Sequence, residues 1–201
     1  MLQSKPLLTC KIVLLGNSGV GKTSIINKWI NGTFDYDAKP TIGAYHQTKT
    51  VTIRDNTVNA FIFDTAGGEQ FQSLTPAYIR NSTWIIITAA FKDPASFDQI
   101  DSWLNIVKDS CDEELEKILA VNKIDLDYDK ELHQAMIEIT EKYGRYFNDI
   151  FYVSAKSGES INELFNDSIL KSIDYITHVR QATETKLKGE NTSKLGCCCW
   201  T

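Results

Sequence analysis

The chain has 201 residues, 42% of them hydrophobic and 23% charged, with a formal net charge of −5 at pH 7. That composition fits one globular domain with a substantial core, and the acidic balance excludes a protein that wraps nucleic acid. The longest uncharged apolar stretch, WIIITAAF at 84–91, falls well short of the ~20 residues a membrane-spanning helix needs.

The N-terminus is interrupted by Lys5, Pro6 and Lys11 and has no small-residue cleavage site, so it is expected to be mature protein rather than a signal peptide. KIVLL at 11–15 reads as a buried strand, followed by a glycine-rich turn and a helix over SIINKWI at 24–30. Strands are expected at 46–53 and 58–64, made antiparallel neighbours by a short turn at Asp55–Asn56. WIIIT (84–88), KILAV (117–121) and IFYV (150–153) are the further strands, with helices over 95–109, 129–143 and 159–179 between and after them. In the last helix Ile161, Leu164, Phe165, Ile169 and Ile173 fall on one face.

This alternation predicts an α/β fold: a six-stranded, mostly parallel sheet with helices on both faces, occupying residues 1–180. From 181 to 196 the periodicity stops, and 181–201 is expected to be a flexible tail. There is no internal repeat. Cys10 and Cys111 stand alone while Cys197, Cys198 and Cys199 are contiguous. This is no disulfide framework, and it points to a reducing compartment.

GNSGVGKT at 16–23 has the P-loop pattern and leaves a strand to enter a helix, the context the motif requires. Glycines let successive amides of Ser18, Gly19, Val20, Gly21 and the following Lys22, Thr23 and Ser24 converge on phosphate oxygens at a helix N-terminus. Lys22 adds a full charge for the β- and γ-phosphates, and the Thr23 hydroxyl suits Mg²⁺. This motif alone leaves metabolite kinases, ATPases and GTPases open.

NKID at 122–125 follows a strand and narrows the choice. Asp125 can accept two hydrogen bonds from guanine's ring N–H and amine, which adenine does not offer in that arrangement. Asn122 can tether the loop and bond the purine edge, while the stem of Lys123 covers the ring. SAK at 154–156 (Ser154, Ala155, Lys156) follows the next strand, and the Ala155 N–H suits guanine's keto oxygen. A P-loop kinase of a small metabolite would lack an obvious lid segment and leave NKID unexplained.

The order GNSGVGKT, PTIG, DTAG, NKID, SAK over roughly 8–180 resembles the Ras superfamily of small GTPases, with the small G-protein version of the P-loop fold. TIGAYHQTKTVTI, SLTPAYIR and the ending CCCWT resemble its Rab branch, nearest the endosomal members. The resemblance implies GTP/GDP and Mg²⁺ as ligands. It implies that Phe34 stacks edge-on against guanine, that Thr41 joins the metal when the γ-phosphate is present, that Asp64 holds the metal through water, and that Gly67 gives its N–H to the γ-phosphate. The catalytic set is then Lys22, Thr41 and Gly67.

The residue after DTAG departs from the family: Gly68 stands where a glutamine orients the attacking water. Without that side chain, intrinsic hydrolysis is expected to be weak and the GTP state long-lived. The competing reading is that Gly68 is neutral because catalysis was never fast. Gln70, two residues on, is not a simple backbone substitute. Activators of Rab proteins resemble a two-finger device able to supply arginine and glutamine in trans. The Rab aromatic triad falls on His46, Phe63 and Tyr78, with His46 and Phe63 replacing the usual phenylalanine and tryptophan. His46 reads either as a half-exposed strand residue or as a pH sensor. TAAF at 88–91 lacks the family's acid.

Cys198 and Cys199, two residues from the end, fit the dicysteine ending that carries geranylgeranyl groups, and two chains give stable membrane attachment. A metal-binding or merely disordered cysteine end is the alternative. Over 180–196 Arg180, Lys186, Lys188 and Lys194 outnumber Glu184 and Glu190, a weak attraction to anionic lipid. The implied partners are effector proteins, an exchange factor, a GTPase-activating protein, and a GDP dissociation inhibitor or escort protein, with no nucleic acid. The implied location is the cytoplasmic face of intracellular membranes, endosomal or otherwise vesicular, with a cytosolic pool. A scaffold that holds GTP without meaningful turnover is the other functional class.

Overall fold

A computed structural model describes residues 7–111, 115–126 and 130–174. The expected tail, Cys198 and Cys199 lie outside the described residues. Among the described residues six strands form one sheet in the order β2-β3-β1-β4-β5-β6. They are β1 (Leu8–Leu15), β2 (Ala44–Ile53), β3 (Asn56–Thr65), β4 (Trp84–Ala90), β5 (Glu116–Asn122) and β6 (Asp149–Tyr152). Only the β2–β3 pair is antiparallel; β1–β3, β1–β4, β4–β5 and β5–β6 are parallel. The helices are α1 (Lys22–Asn31), α2 (Thr75–Ile79), α3 (Pro94–Asp98), α4 (Ile100–Ser110), α5 (Lys130–Tyr143) and α6, helical over 161–174 among the described residues.

The period-two alternation of the central strands fills two cores. Ile12, Leu14, Ile86, Ile118 and Ala120 point to a layer shared with Ile25, Ile26 and Trp29 of α1 and Leu164, Phe165 and Ile169 of α6. Trp29 stacks on Phe165 with ring centroids 4.3 Å apart, which ties the two helices together. Val13, Leu15, Ile85, Ile87, Leu119 and Val121 face the opposite layer, with Ile79, Ile100, Trp103, Val107 and Tyr143. Burial on both faces explains why β1, β4 and β5 read as near-continuous apolar runs. It also places helices on both sides, as expected.

Boundaries differ in places. β1 begins at Leu8, three residues before the expected start, because Leu8 and Cys10 continue the buried alternation and pair with Val58 and Ala60. The hairpin loop is Arg54–Asp55 rather than Asp55–Asn56, since Ile53 pairs with Asn56. Both loop residues take positive φ, 47° and 60°, as a two-residue turn matched to strand twist requires. The expected helix over 95–109 is two helices interrupted at Gln99. The start of the helix expected at 129, and the end of the one expected at 179, lie outside the described residues.

Candidate nucleotide and cation site

The loops after β1, β3, β5 and β6 all leave the sheet at its carboxyl edge, the usual ligand crevice of an open α/β sheet. A cavity of about 160 Å³ there is lined by Ser18, Gly19, Gly21, Lys22, Thr23 and Ser24 from the first loop and α1. Ala38, Lys39, Pro40, Thr41, Thr65 and Gly67 close its other side. The structure thus gathers the P-loop, the PTIG segment and the DTAG segment around one space.

Within it Lys22 is 5% exposed, and its ammonium donates to the Gly16 carbonyl at 2.7 Å and the Asn17 carbonyl at 2.8 Å. Burial lowers its pKa to about 8, against the opposing pull of Asp64. Such a buried cation with only dipoles for partners is costly alone and suits a phosphate. Gly21, which caps α1 at φ 98°, lies so close to Asn122 that an added Cβ would meet its Nδ2 at 2.3 Å. A side chain at 21 would push the guanine-side loop away from the cradle.

Three oxygens, from α1, β3 and the loop between α1 and β2, converge beside Lys22. The Thr23 hydroxyl donates to Asp64 Oδ2 at 2.6 Å and is 2.8 Å from the Thr41 hydroxyl, which is itself 3.3 Å from Asp64 Oδ2. Asp64 is fully buried, and its Oδ1 has no hydrogen-bond partner. Burial raises its pKa first, while Thr23, Lys22 and Thr41 act the other way. A buried carboxylate with an orphaned oxygen between two hydroxyls is the hard-oxygen donor set that Mg²⁺ takes. These residues therefore fit the metal that the fold family implies.

Gly67 rests directly on the cradle: an added Cβ would sit 2.2 Å from Asn17 C and 2.3 Å from Ser18 N. Gly68 is different. It is extended, φ −75° and ψ 141°, and a Cβ there would meet nothing closer than Gln70 Cδ at 3.5 Å. No backbone requirement at 68 calls for glycine.

On the base side, Asn122 is 1% exposed and uses both ends of its amide. Its Nδ2 donates to the Val20 carbonyl at 2.9 Å, and its Oδ1 accepts from the Ala155 N–H at 3.0 Å. The expected tether is present. The Ala155 N–H, expected to face guanine's keto oxygen, donates in this structure to Asn122 Oδ1, which straps the loop after β6 to the same side chain. Ser154 donates to Asp125 Oδ1 at 2.6 Å, and Lys156 lies 3.9 Å from Oδ2. Lys123 takes φ 68°, a kink that separates the Asn122 and Asp125 roles along the loop. Phe34 is half-buried against the α1–α6 core and meets Tyr36 edge-on at 5.0 Å, while Lys156 Nζ stands 5.8 Å over the Tyr36 ring.

Some contributors escape sequence reading. The buried Trp103 indole donates to Asn17 Oδ1 at 3.0 Å, and Asn17 Nδ2 reaches the Ala95 carbonyl at 3.4 Å. Tyr45 lies directly across from Asp64 in the β2–β3 ladder, and its phenol is pushed up by burial and then by Asp64's charge. Its role is visible only once the hairpin register is known. Among the aromatic triad, His46 stacks on Phe63 at 5.3 Å, and Tyr78 packs on the α4 layer.

With this geometry, the family model described as Ras family matches residues 11–174. The chain belongs to the Ras family. It is a small GTPase of this family with Rab proteins among its relatives. It is 35% identical over 186 residues to the GTP-binding protein ypt5 of Schizosaccharomyces pombe, covering 92% of this chain and 87% of the relative. It is 33% identical over 175 residues to the Ras-related protein Rab-18 of Lymnaea stagnalis, covering 86% and 85%. The Ras-related protein Rab-13 of Canis lupus familiaris is 32% identical over 167 residues, 81% of each chain. Among the described residues of this Ras-family chain, no helix is long and apolar enough to cross a membrane.

Proposed function

We propose that the chain is a Rab-like GTP/GDP switch in vesicular trafficking, held on the cytoplasmic face of intracellular membranes by prenyl groups on Cys198 and Cys199. The observation that carries the switch reading is the meeting of Thr41 and Gly67, from two different loops, on one wall of the P-loop cavity. Residues 18–24 would bind the inner phosphates. Thr41 and the Gly67 N–H would meet the third phosphate beyond them, so the two loops would answer to it. Thr23, Thr41 and Asp64 would hold Mg²⁺, which when bound neutralises charge on the phosphate oxygens. Lys22 adds a fixed positive charge in a desolvated site. Asp125, oriented by Ser154, would select guanine, with Lys123 and Phe34 flanking the base.

We further propose that hydrolysis is slow because Gly68 has no carboxamide to orient water. Effectors would read the GTP state; an exchange factor, an activating protein and a GDP dissociation inhibitor or escort protein would set its lifetime and its cytosolic pool. A scaffold that binds GTP with negligible turnover is distinguished by product analysis after long incubation. The test of the central reading is competition binding in Mg²⁺: guanosine nucleotides should bind at micromolar or tighter concentrations, and adenosine nucleotides should not compete. Equal competition by ATP would sink it. Single-turnover hydrolysis by Gly68→Gln should exceed that of the unsubstituted protein, and an unchanged rate would remove the slow-hydrolysis proposal.

A further inference from the structure

Gly68 leaves a gap in the chemistry, and the chain's own next turn packs against the space that a side chain at 68 would fill. Residues 69–74 form a 3-10 turn that starts at Gly68 and is closed by the Phe71 N–H donating to the Gly68 carbonyl at 2.9 Å. Side chains in a helical turn lean back over the residues preceding them. Gln70, second in this turn, therefore lies over Gly68. The Cβ position that a side chain at 68 would occupy is 3.5 Å from Gln70 Cδ and 3.7 Å from its Nε2, with Phe71 Cδ2 at 3.6 Å on the other side. In a glutamine placed at 68, ordinary bond lengths and angles would put its own Cδ about 2.5 Å from that Cβ. The carboxamide of Gln70 thus lies within about 1 Å of the radius that a glutamine at 68 would command. Gln70 is exposed, and no hydrogen bond among the described residues commits its amide elsewhere.

We propose that Gln70 supplies the water-orienting carboxamide that Gly68 lacks, so that the residual GTP hydrolysis runs through it. The inference rests on the GTPase reading above. In the step itself the water oxygen bonds to the γ-phosphorus while the oxygen bridging to the β-phosphate leaves with the electron pair of its bond. Both water protons end on the released phosphate. Gln70 moves no proton; its Oε1 accepts a hydrogen bond from the attacking water. Its reach from two residues away, on an exposed turn, fits catalysis that is slow but not absent.

The experiment is single-turnover GTP hydrolysis, in Mg²⁺, of the full chain and of Gln70→Ala, Gly68→Gln and the double variant, with GTP and GDP affinities measured in parallel. Gln70→Ala should slow hydrolysis about three- to tenfold, the scale of one hydrogen bond, with both affinities kept within twofold. In the Gly68→Gln background, where position 68 carries its own carboxamide, the same change should slow the reaction less. This coupling separates water orientation from a structural role in the 69–74 turn. An unchanged rate for Gln70→Ala, an equal slowing in both backgrounds, or GTP binding without any turnover by the unsubstituted chain would overturn the assignment. Loss of guanosine preference in that chain would instead overturn the underlying reading.

Discussion

The two adjacent glycines after Ala66 make opposite demands, and alanine at each separates them. At Gly67 a Cβ would fall 2.2 Å from Asn17 C, 2.3 Å from Ser18 N and 2.5 Å from Asn17 O, all backbone atoms that cannot rotate away. Ordinary contacts need ~3.5 Å, so the 66–68 segment must retreat from the P-loop by about 1 Å. The strain, of order 1–3 kcal/mol as for other overpacked sites, is common to both nucleotide states and cancels in their ratio. What does not cancel, under the proposed reading, is the Gly67 N–H, which would reach only the third phosphate. A hydrogen bond to a charged group contributes about 1.5–3 kcal/mol, which corresponds to about 10- to 150-fold in affinity. Gly67→Ala should therefore lower the GTP-to-GDP affinity ratio by that factor, read from dissociation rates of fluorescent GTP and GDP analogues. Gly68→Ala, whose Cβ would touch nothing closer than 3.5 Å, should leave the ratio unchanged. If Gly67→Ala keeps the ratio, or if both variants lower it alike, the argument from close approach is wrong.

Asn122→Ala leaves the buried Val20 carbonyl and Ala155 N–H without their shared partner. At ~1–3 kcal/mol for each unpaired group, thermal denaturation should shift down by roughly 5–20 °C, with faster release of both nucleotides; an unshifted Tm would refute the tether. Cys10 is 2% exposed, and burial raises its thiol from 9.0 to about 12. From pH 9.0 to about 12 the unfolded chain releases this proton while the folded chain keeps it, so stability should fall as pH rises through that window. Native protein at pH 8 should resist alkylation at Cys10, and rapid labelling located there by mass spectrometry would contradict the burial.

What could be read in advance was local or strictly periodic. GNSGVGKT carries its strand-turn-helix context within a few residues, and WIIIT declares a strand buried on both faces by its composition alone. The Arg54–Asp55 loop was misplaced by one residue because register is decided by pairing along all of β2 and β3, which the turn residues do not encode by themselves. The break at Gln99 was missed because apolar spacing over 95–109 is equally compatible with one helix. The Trp103–Asn17 bond joins residues 86 positions apart, and no short-range pattern announces it. Gln70 stands two residues from the glutamine position when counted along the chain, and only the turn that starts at Gly68 sets its Cδ 3.5 Å from the Cβ position there. Even the well-signalled Ala155 was only partly legible, since its amide bonds a residue of the preceding motif.

The double use of Asn122 has a consequence for timing. Because one fully enclosed amide straps the Val20 carbonyl to the Ala155 amide, the recess is preorganised, and an arriving nucleotide has little ordering left to impose. Preorganisation favours long residence times, so under the proposed reading spontaneous emptying should be slow. If the chain is the switch proposed above, its clock would belong to whichever outside protein can spring that strap.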